Sequence, residues 1–97
     1  MGKVYSIVNI IKIHDQKKFN NYVAGHLDSI ERYDGKFLVK GDRGIVLEGS
    51  WDSNLMVVHE FPSLEQFNAW YLSEEYRPWK VLRQSCADVN VILVHGN

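Results

Sequence analysis

Large side chains recur at intervals of three and four between Phe19 and Tyr33, and this periodicity constrains the fold more than any other feature. The stripe consists of Phe19, Tyr22, Val23, His26, Leu27, Ile30 and Tyr33. Such spacing predicts an amphipathic helix with one face buried against another layer. Asp15 is expected to cap its start. Asp34-Gly35 is expected to end it, because glycine accepts the left-handed conformation.

Runs rich in valine, isoleucine and tyrosine surround this helix and predict strands. The first runs from Lys3 to Ile13 and the last from Val89 to Val94. Between them, Lys36–Lys40 and Ile45–Trp51 are separated by a glycine-containing turn, which predicts a hairpin. A further strand, Leu55–Phe61, carries Glu60.

A broken helix is predicted between Ser63 and Cys86. Ser63 with Gln66 three residues later forms a capping-box pattern, and Ser73 is a second candidate cap. Pro78 should kink the second part, because proline removes a helical hydrogen bond.

This order of elements predicts an α+β fold of the ferredoxin-like kind, an antiparallel sheet with helices on one face. With 97 residues, the chain is expected to form a single domain over residues 1–97. The first strand is apolar on both faces, with Val4 and Ile10 opposite Tyr5 and Ile7. Helices cover only one face, so we expect a homodimer formed through the uncovered sheet faces.

The composition excludes several classes of function. Eleven Lys and Arg residues are balanced by 12 Asp and Glu, without the basic stripe that nucleic acid requires. No apolar run approaches the roughly 20 residues that cross a bilayer, and no signal peptide is recognisable. The only cysteine is Cys86, so we expect no internal disulfide, no cysteine-based metal site and a reduced, cytoplasmic setting.

Several segments together resemble the domain-of-unknown-function family 1330. They are Tyr33, Gly35 to Val39, Leu47 to Gly49, Trp51, Glu60 to Ser63, Ala69 to Tyr71, Ser73, Glu75-Tyr76, Lys80 and Leu82-Arg83. The resemblance covers nearly the whole chain and implies a dimeric α+β barrel, a group that includes cofactor-free monooxygenases and small isomerases. The chain departs from the family's usual pattern at Lys40, His59 and Pro78.

Glu60 is the leading candidate catalytic residue, because a carboxylate within a buried strand usually has a structural or catalytic role. The family usually has an aliphatic residue at position 59, which assigns His59 to the helix side. Glu60 then faces the space between two sheets, which in related barrels is the substrate cavity. A raised pKa there would suit a general acid or base. The alternative is an ion-pair anchor, with Arg83 or Lys40 as partner.

Four further residues are candidate ligand contacts. Arg83 could hold an anion in bidentate fashion, and Tyr71 and Tyr76 could position a small molecule. Glu48 could share acid and base roles with Glu60, or lie at an exposed edge.

The two histidines of the predicted core, His26 and His59, are expected to be hydrogen-bonded within it. As a pair they could bind metal or haem. No third ligand has a recognisable spacing, so we expect neither a metal nor another cofactor.

We therefore expect a cytoplasmic homodimer that binds, and transforms without a cofactor, a small organic molecule. Proton abstraction or isomerisation is the first choice of reaction, and cofactor-free oxygenation the second. The competing interpretation is a non-catalytic binding or structural module in which Glu60 is an anchor.

Overall fold

A computed structural model describes residues 2–97 and contains four strands and three helices. They are β1 (Val4–Ile13), α1 (Gln16–Arg32), β2 (Lys36–Asp42), β3 (Leu55–Phe61), α2 (Leu64–Tyr71), α3 (Arg77–Cys86) and β4 (Ala87–His95). The strands form one antiparallel sheet in the order β2-β3-β1-β4. This topology is the ferredoxin-like α+β fold and confirms the predicted fold class.

The sheet has one covered and one open face, as the alternation in β1 predicts. Val4, Ser6 and Ile10 are buried beneath the helices. On the open face, Ile7 lies opposite Val58 of β3 on one side and Ile92 of β4 on the other. This row leaves an apolar surface on the side of the sheet that carries no helix.

Helix α1 begins at the predicted cap, where the Asp15 carboxylate accepts a hydrogen bond from the Lys18 amide at 3.0 Å. Its end differs from the expectation. Asp34, at φ 63°, adopts the left-handed conformation, and Gly35 does not. Gly35 is needed for close packing instead, because a Cβ atom there would overlap the buried Phe61 ring and the Ile30 side chain.

The predicted second arm of the hairpin is wrong. Residues 43–54 form a loop, and β2 pairs directly with β3. Gly44 and Gly49 have φ angles of 75° and 73°, which an extended strand does not tolerate. Ile45 and Leu47 point outward and are almost fully exposed, so the apolar character of this segment does not reflect burial in the sheet.

The broken helix is confirmed, but the predicted kink at Pro78 is wrong. The Ser63 hydroxyl accepts a hydrogen bond from the Gln66 amide at 3.1 Å and starts α2. The Ser73 hydroxyl accepts one from the Tyr76 amide at 3.0 Å in the turn that leads to α3. Because α3 begins at Arg77, Pro78 lies in its first turn, where an amide has no partner within the helix.

Helices α1 and α3 pack closely at one point. A Cβ atom at Gly25 would overlap the Trp79 ring, so this glycine allows the two helices to approach. No helix within residues 2–97 has both the length and the apolar character needed to cross a membrane.

Candidate functional site

A cavity of about 450 Å³ lies between α1 and the covered face of the sheet. Its walls are mainly apolar and include Val8, Ile10, Phe19, Phe37, Leu55 and Val57. The polar side chains that reach it include Tyr22, His26, Lys40 and Arg83. We call this space the α1 cavity. Apolar walls with a few convergent polar groups are typical of small-molecule sites.

Arg83 provides a buried positive charge at this cavity. It extends from α3, is only 6% exposed, and lies beside the phenol groups of Tyr22 and Tyr76. No carboxylate within residues 2–97 forms an ion pair with its guanidinium group. A guanidinium group is always protonated in proteins, so the charge has no fixed counter-ion.

The two phenols beside Arg83 form a neutral pair. The hydroxyl groups of Tyr22 and Tyr76 are 2.7 Å apart and hydrogen-bonded to each other. Burial raises the pKa of Tyr22 well above its ordinary value, and the neighbouring Tyr76 raises it further. Burial also raises the pKa of Tyr76. Neither tyrosine ionises near neutral pH to balance the charge of Arg83.

His26 lies one helical turn after Tyr22 and also lines the cavity. Its Nδ1 atom is 2.7 Å from the backbone oxygen of Tyr22, and its ring stacks on the Tyr22 ring with centroids 4.1 Å apart. Burial lowers the pKa of His26. The imidazole is therefore neutral near pH 7, and its orientation is fixed by its own helix.

His59 lies on the covered face of the sheet, as expected, but its ring has no polar group to bond with in the described part of the chain. It is surrounded by aromatic rings, with Phe37 at 4.7 Å and Trp70 at 5.8 Å between centroids. Neither ring nitrogen makes a hydrogen bond to any of residues 2–97. Burial lowers its pKa to about 4, with a smaller contribution from His26. The predicted hydrogen bond of His59 within the core is therefore absent from the described residues.

Metal binding by these histidines lacks a further ligand. Among residues 2–97, no group of three or more His, Cys, Asp or Glu side chains is arranged to hold a metal ion.

Glu60 lies on the open face of the sheet, away from the α1 cavity. Its carboxylate is 3.1 Å from Lys36 Nζ and 3.7 Å from Lys3 Nζ. The hydrogen bond from Lys36 is the main cause of a lowered pKa, to which the charge of Lys3 also contributes. The expected raised pKa is therefore wrong for this chain. The expected partners Arg83 and Lys40 are replaced by two lysines of neighbouring strands, and the catalytic role of Glu60 stays a prediction.

The other predicted contacts are divided between several places. Tyr76 and Arg83 are brought together, whereas Tyr71 borders a separate surface hollow of about 510 Å³ that Arg83 also reaches. The Tyr71 ring is covered by Lys80, whose Nζ lies 4.3 Å from the ring centroid. Glu48 is exposed on the loop after β2, not on a strand. Its predicted position on a strand is wrong, and a role shared with Glu60 stays a prediction.

Sequence reasoning places Tyr22 only in the buried stripe of α1. It considers His26 as a core residue or, with His59, as a metal or haem ligand, and not as a lining residue of this cavity. The available signal was their spacing of four, which places two polar-tipped side chains on one turn of the face opposite Arg83 and Tyr76.

Comparison with known proteins agrees with this architecture. A profile of the DUF1330 family, described as a domain of unknown function, matches residues 3–97. No curated protein matches the chain.

Several solved structures share the fold at low sequence identity. A protein of unknown function from Rhodopseudomonas palustris is 17% identical, with a TM-score of 0.81 over 99% of this chain and 83% of that one. A dimeric ferredoxin-like protein of unknown function from Jannaschia sp. CCS1 is 11% identical, with a TM-score of 0.74 over 98% and 100%. The cofactor-independent oxygenase SnoaB from Streptomyces nogalater is 11% identical, with a TM-score of 0.72 over 100% and 95%.

Proposed function

The chain belongs to the DUF1330 family of domains of unknown function, and we propose that it binds a small organic molecule in the α1 cavity. The ligand has an apolar body, which contacts the cavity walls, and one acidic oxygen group, which pairs with Arg83. A carboxylate, phenol or enol would each supply such a group.

The observation that carries this proposal is the buried charge of Arg83, which has no carboxylate partner among residues 2–97. Removing a cation from water costs several kcal/mol unless an opposite charge compensates. Tyr22 and Tyr76 offer only neutral hydroxyl groups. An anionic ligand would supply the missing charge and accept hydrogen bonds in the planar geometry that guanidinium favours.

Cofactor-free acid–base chemistry is the reaction class that we propose for this ligand. The fold is shared with SnoaB, which is described as a cofactor-independent oxygenase. The competing candidate is a non-catalytic module. Its support is the pairing of Glu60 with Lys3 and Lys36, which gives this carboxylate a role in joining β1, β2 and β3.

Binding of phenylacetate, with its neutral isostere phenylacetamide as the comparison ligand, tests the role of Arg83. Calorimetry should detect phenylacetate binding to the unaltered protein, and Arg83→Met should weaken it by about 10-fold to 100-fold. This corresponds to the roughly 1.5–3 kcal/mol of a hydrogen bond to a charged group. Phenylacetamide should bind both proteins weakly and equally, because it lacks the charge.

Two variants control this experiment. Arg77→Met changes an exposed arginine on the same helix and should leave phenylacetate affinity unchanged. Glu60→Gln changes a residue on the opposite face of the sheet and should also retain phenylacetate binding. Loss of binding in this variant would indicate that the ligand binds at Glu60 instead. Arg83→Met should keep or raise the melting temperature, since a buried charge is replaced by an apolar chain. Equal binding of phenylacetate to the Arg83→Met variant would contradict the proposal.

We also propose that two copies of the chain pair through the open sheet face. Ile7, Val58 and Ile92 form an apolar row across it, and Ile92 is 57% exposed. Structures of similar fold are described as dimeric.

Sedimentation velocity at micromolar concentration should give twice the chain mass of 11.3 kDa. Ile92→Lys should give the monomer mass, because it places a charge within the proposed apolar contact. Leu72→Lys, at an exposed position outside the sheet, should remain dimeric. A monomer for the unaltered chain would refute the pairing.

A further inference from the structure

The tautomer of His26 follows from its contacts with the backbone of the preceding turn, at Tyr22 and Val23. Its Nδ1 atom is 2.7 Å from the backbone oxygen of Tyr22. A carbonyl oxygen can only accept a hydrogen bond, so Nδ1 must carry the proton and donate it. In the neutral ring the lone pair is then on Nε2. Such a hydrogen bond at one ring nitrogen is how proteins fix the reactive state of the other.

The Nε2 atom of His26 has no partner among residues 2–97. The residue is only 5% exposed, yet this atom is not sealed off as the ring nitrogens of His59 are. His26 lines the α1 cavity, and Nδ1 is held against its own helix, so we infer that Nε2 faces the cavity. A ligand in the cavity would bring its proton to this free acceptor.

Resting on the proposed function, we propose that His26 is the general base that removes a proton from a carbon atom next to a carbonyl group of the bound molecule. The substrate class is an enolisable carbonyl compound with an apolar body. His26 on α1 supplies the base, and Arg83 on α3 supplies the positive charge that receives the new oxyanion.

The step balances without an oxidant, reductant or cofactor. Nε2 takes the proton as the carbon–hydrogen bond breaks, and that electron pair forms a carbon–carbon double bond. The carbonyl π electrons move to oxygen, which becomes an enolate oxyanion beside Arg83. Return of the proton from the imidazolium to the same carbon, on its original or its opposite face, regenerates neutral His26 and gives the starting compound or its stereoisomer.

The charges around His26 favour the neutral base. Burial is the main cause of the lowered pKa of His26. Backbone hydrogen bonds to Tyr22 and Val23 oppose this effect, and the charge of Arg83 adds to it. The groups around the ring and cavity that could titrate or carry charge are Tyr22, Lys40, His59, Tyr76 and Arg83. None of them is a carboxylate that would keep His26 protonated. The imidazole is therefore neutral near pH 7 and can accept a proton.

Nitrobenzisoxazole is a suitable probe, because removal of its ring carbon–hydrogen proton opens the nitrogen–oxygen bond and releases a coloured phenolate. The unaltered protein should accelerate this reaction, and His26→Asn should reduce the catalysed rate by about 100-fold, within the usual contribution of a general base. Asparagine keeps a donor near the position of Nδ1 and removes Nε2. His14→Asn changes a half-exposed histidine away from the cavity and should retain the full rate.

The pH profile distinguishes His26 from a lysine that reacts by chance. With His26 as base, the rate should be constant above the ordinary histidine pKa of 6.5 and fall only at more acidic pH. A lysine base would give a rate that rises up to about pH 10. Nitrogen NMR of the unaltered protein should find the proton of His26 on Nδ1, even if His26→Asn does not fold.

Four outcomes would overturn the assignment: a proton on Nε2, a rate that rises with lysine ionisation, full activity of folded His26→Asn, or no acceleration of the probe reaction by the unaltered protein. Phenylacetate binding separates this proposal from the one on which it rests. If the unaltered protein binds phenylacetate but does not convert the probe, the role of His26 is refuted and the Arg83 binding site is retained. If the unaltered protein does not bind phenylacetate, both proposals are refuted.

Discussion

Replacement of Trp70 by alanine should lower the free energy of unfolding by roughly 3–5 kcal/mol, the range found for large aromatic residues in cores. Trp70 is 2% exposed. Its ring lies 4.1 Å from that of Tyr76 and 5.4 Å from that of Phe61, between centroids. Its Nε1 group donates a hydrogen bond to the buried Ser29 hydroxyl at 2.9 Å. The substitution therefore leaves a cavity and an acceptor without its donor.

The effect should be large relative to the whole stability, which for a chain of this size is roughly 5–15 kcal/mol. Urea unfolding followed by circular dichroism would measure it. Trp51→Ala is the matched control, because Trp51 is 56% exposed on the loop after β2. At a protein concentration that keeps the association state constant, its effect should stay near 0.5 kcal/mol. Equal losses for the two variants would contradict the packing described for Trp70.

Acidification should destabilise the protein through His59. Its pKa is about 4 in the fold, against an ordinary value of 6.5. The unfolded chain therefore takes up a proton at a pH where the folded chain does not. The stabilising contribution is complete above pH 6.5, declines as the pH falls towards 4, and changes no further below it. The full loss is about 3 kcal/mol for this one residue.

His59→Leu should remove this part of the pH dependence. At neutral pH the variant should be at least as stable as the unaltered protein, because two ring nitrogens without partners leave the core. Urea midpoints measured between pH 7 and about pH 4 give the comparison. His95→Leu, at an exposed histidine, should keep the original slope. A parallel pH dependence for His59→Leu and the unaltered chain would show that His59 titrates normally.

Much of the fold could be predicted because its periodicities are local. The stripe of α1 and the caps at Asp15 and Ser63 depend only on residues within a few positions of each other. The loop after β2 could not be recognised, because Ile45 and Leu47 have strand-forming side chains but do not pair in the sheet. The predicted kink at Pro78 is wrong for a similar reason, because the effect of a proline depends on where its helix begins and the sequence does not show that α3 begins at Arg77.

The candidate site was predicted in part. Arg83 and Tyr76 are predicted ligand contacts that the fold brings together, and their roles stay predictions. The surroundings of Glu60 could not be foreseen, since Lys36 meets it only through the register of β2 against β3. The lowered pKa of Glu60 results from this long-range pairing and not from its own strand.

The contact between Gly25 and the Trp79 ring has a consequence for selectivity. His26 is the next residue after Gly25 on α1, and Arg83 follows Trp79 by one turn on α3. The distance between His26, the proposed proton acceptor, and Arg83, the proposed anion-binding residue, therefore depends on the absence of a side chain at Gly25. A methyl group at position 25 would push the helices apart, lengthen that span and favour bulkier molecules, without altering a residue that touches them.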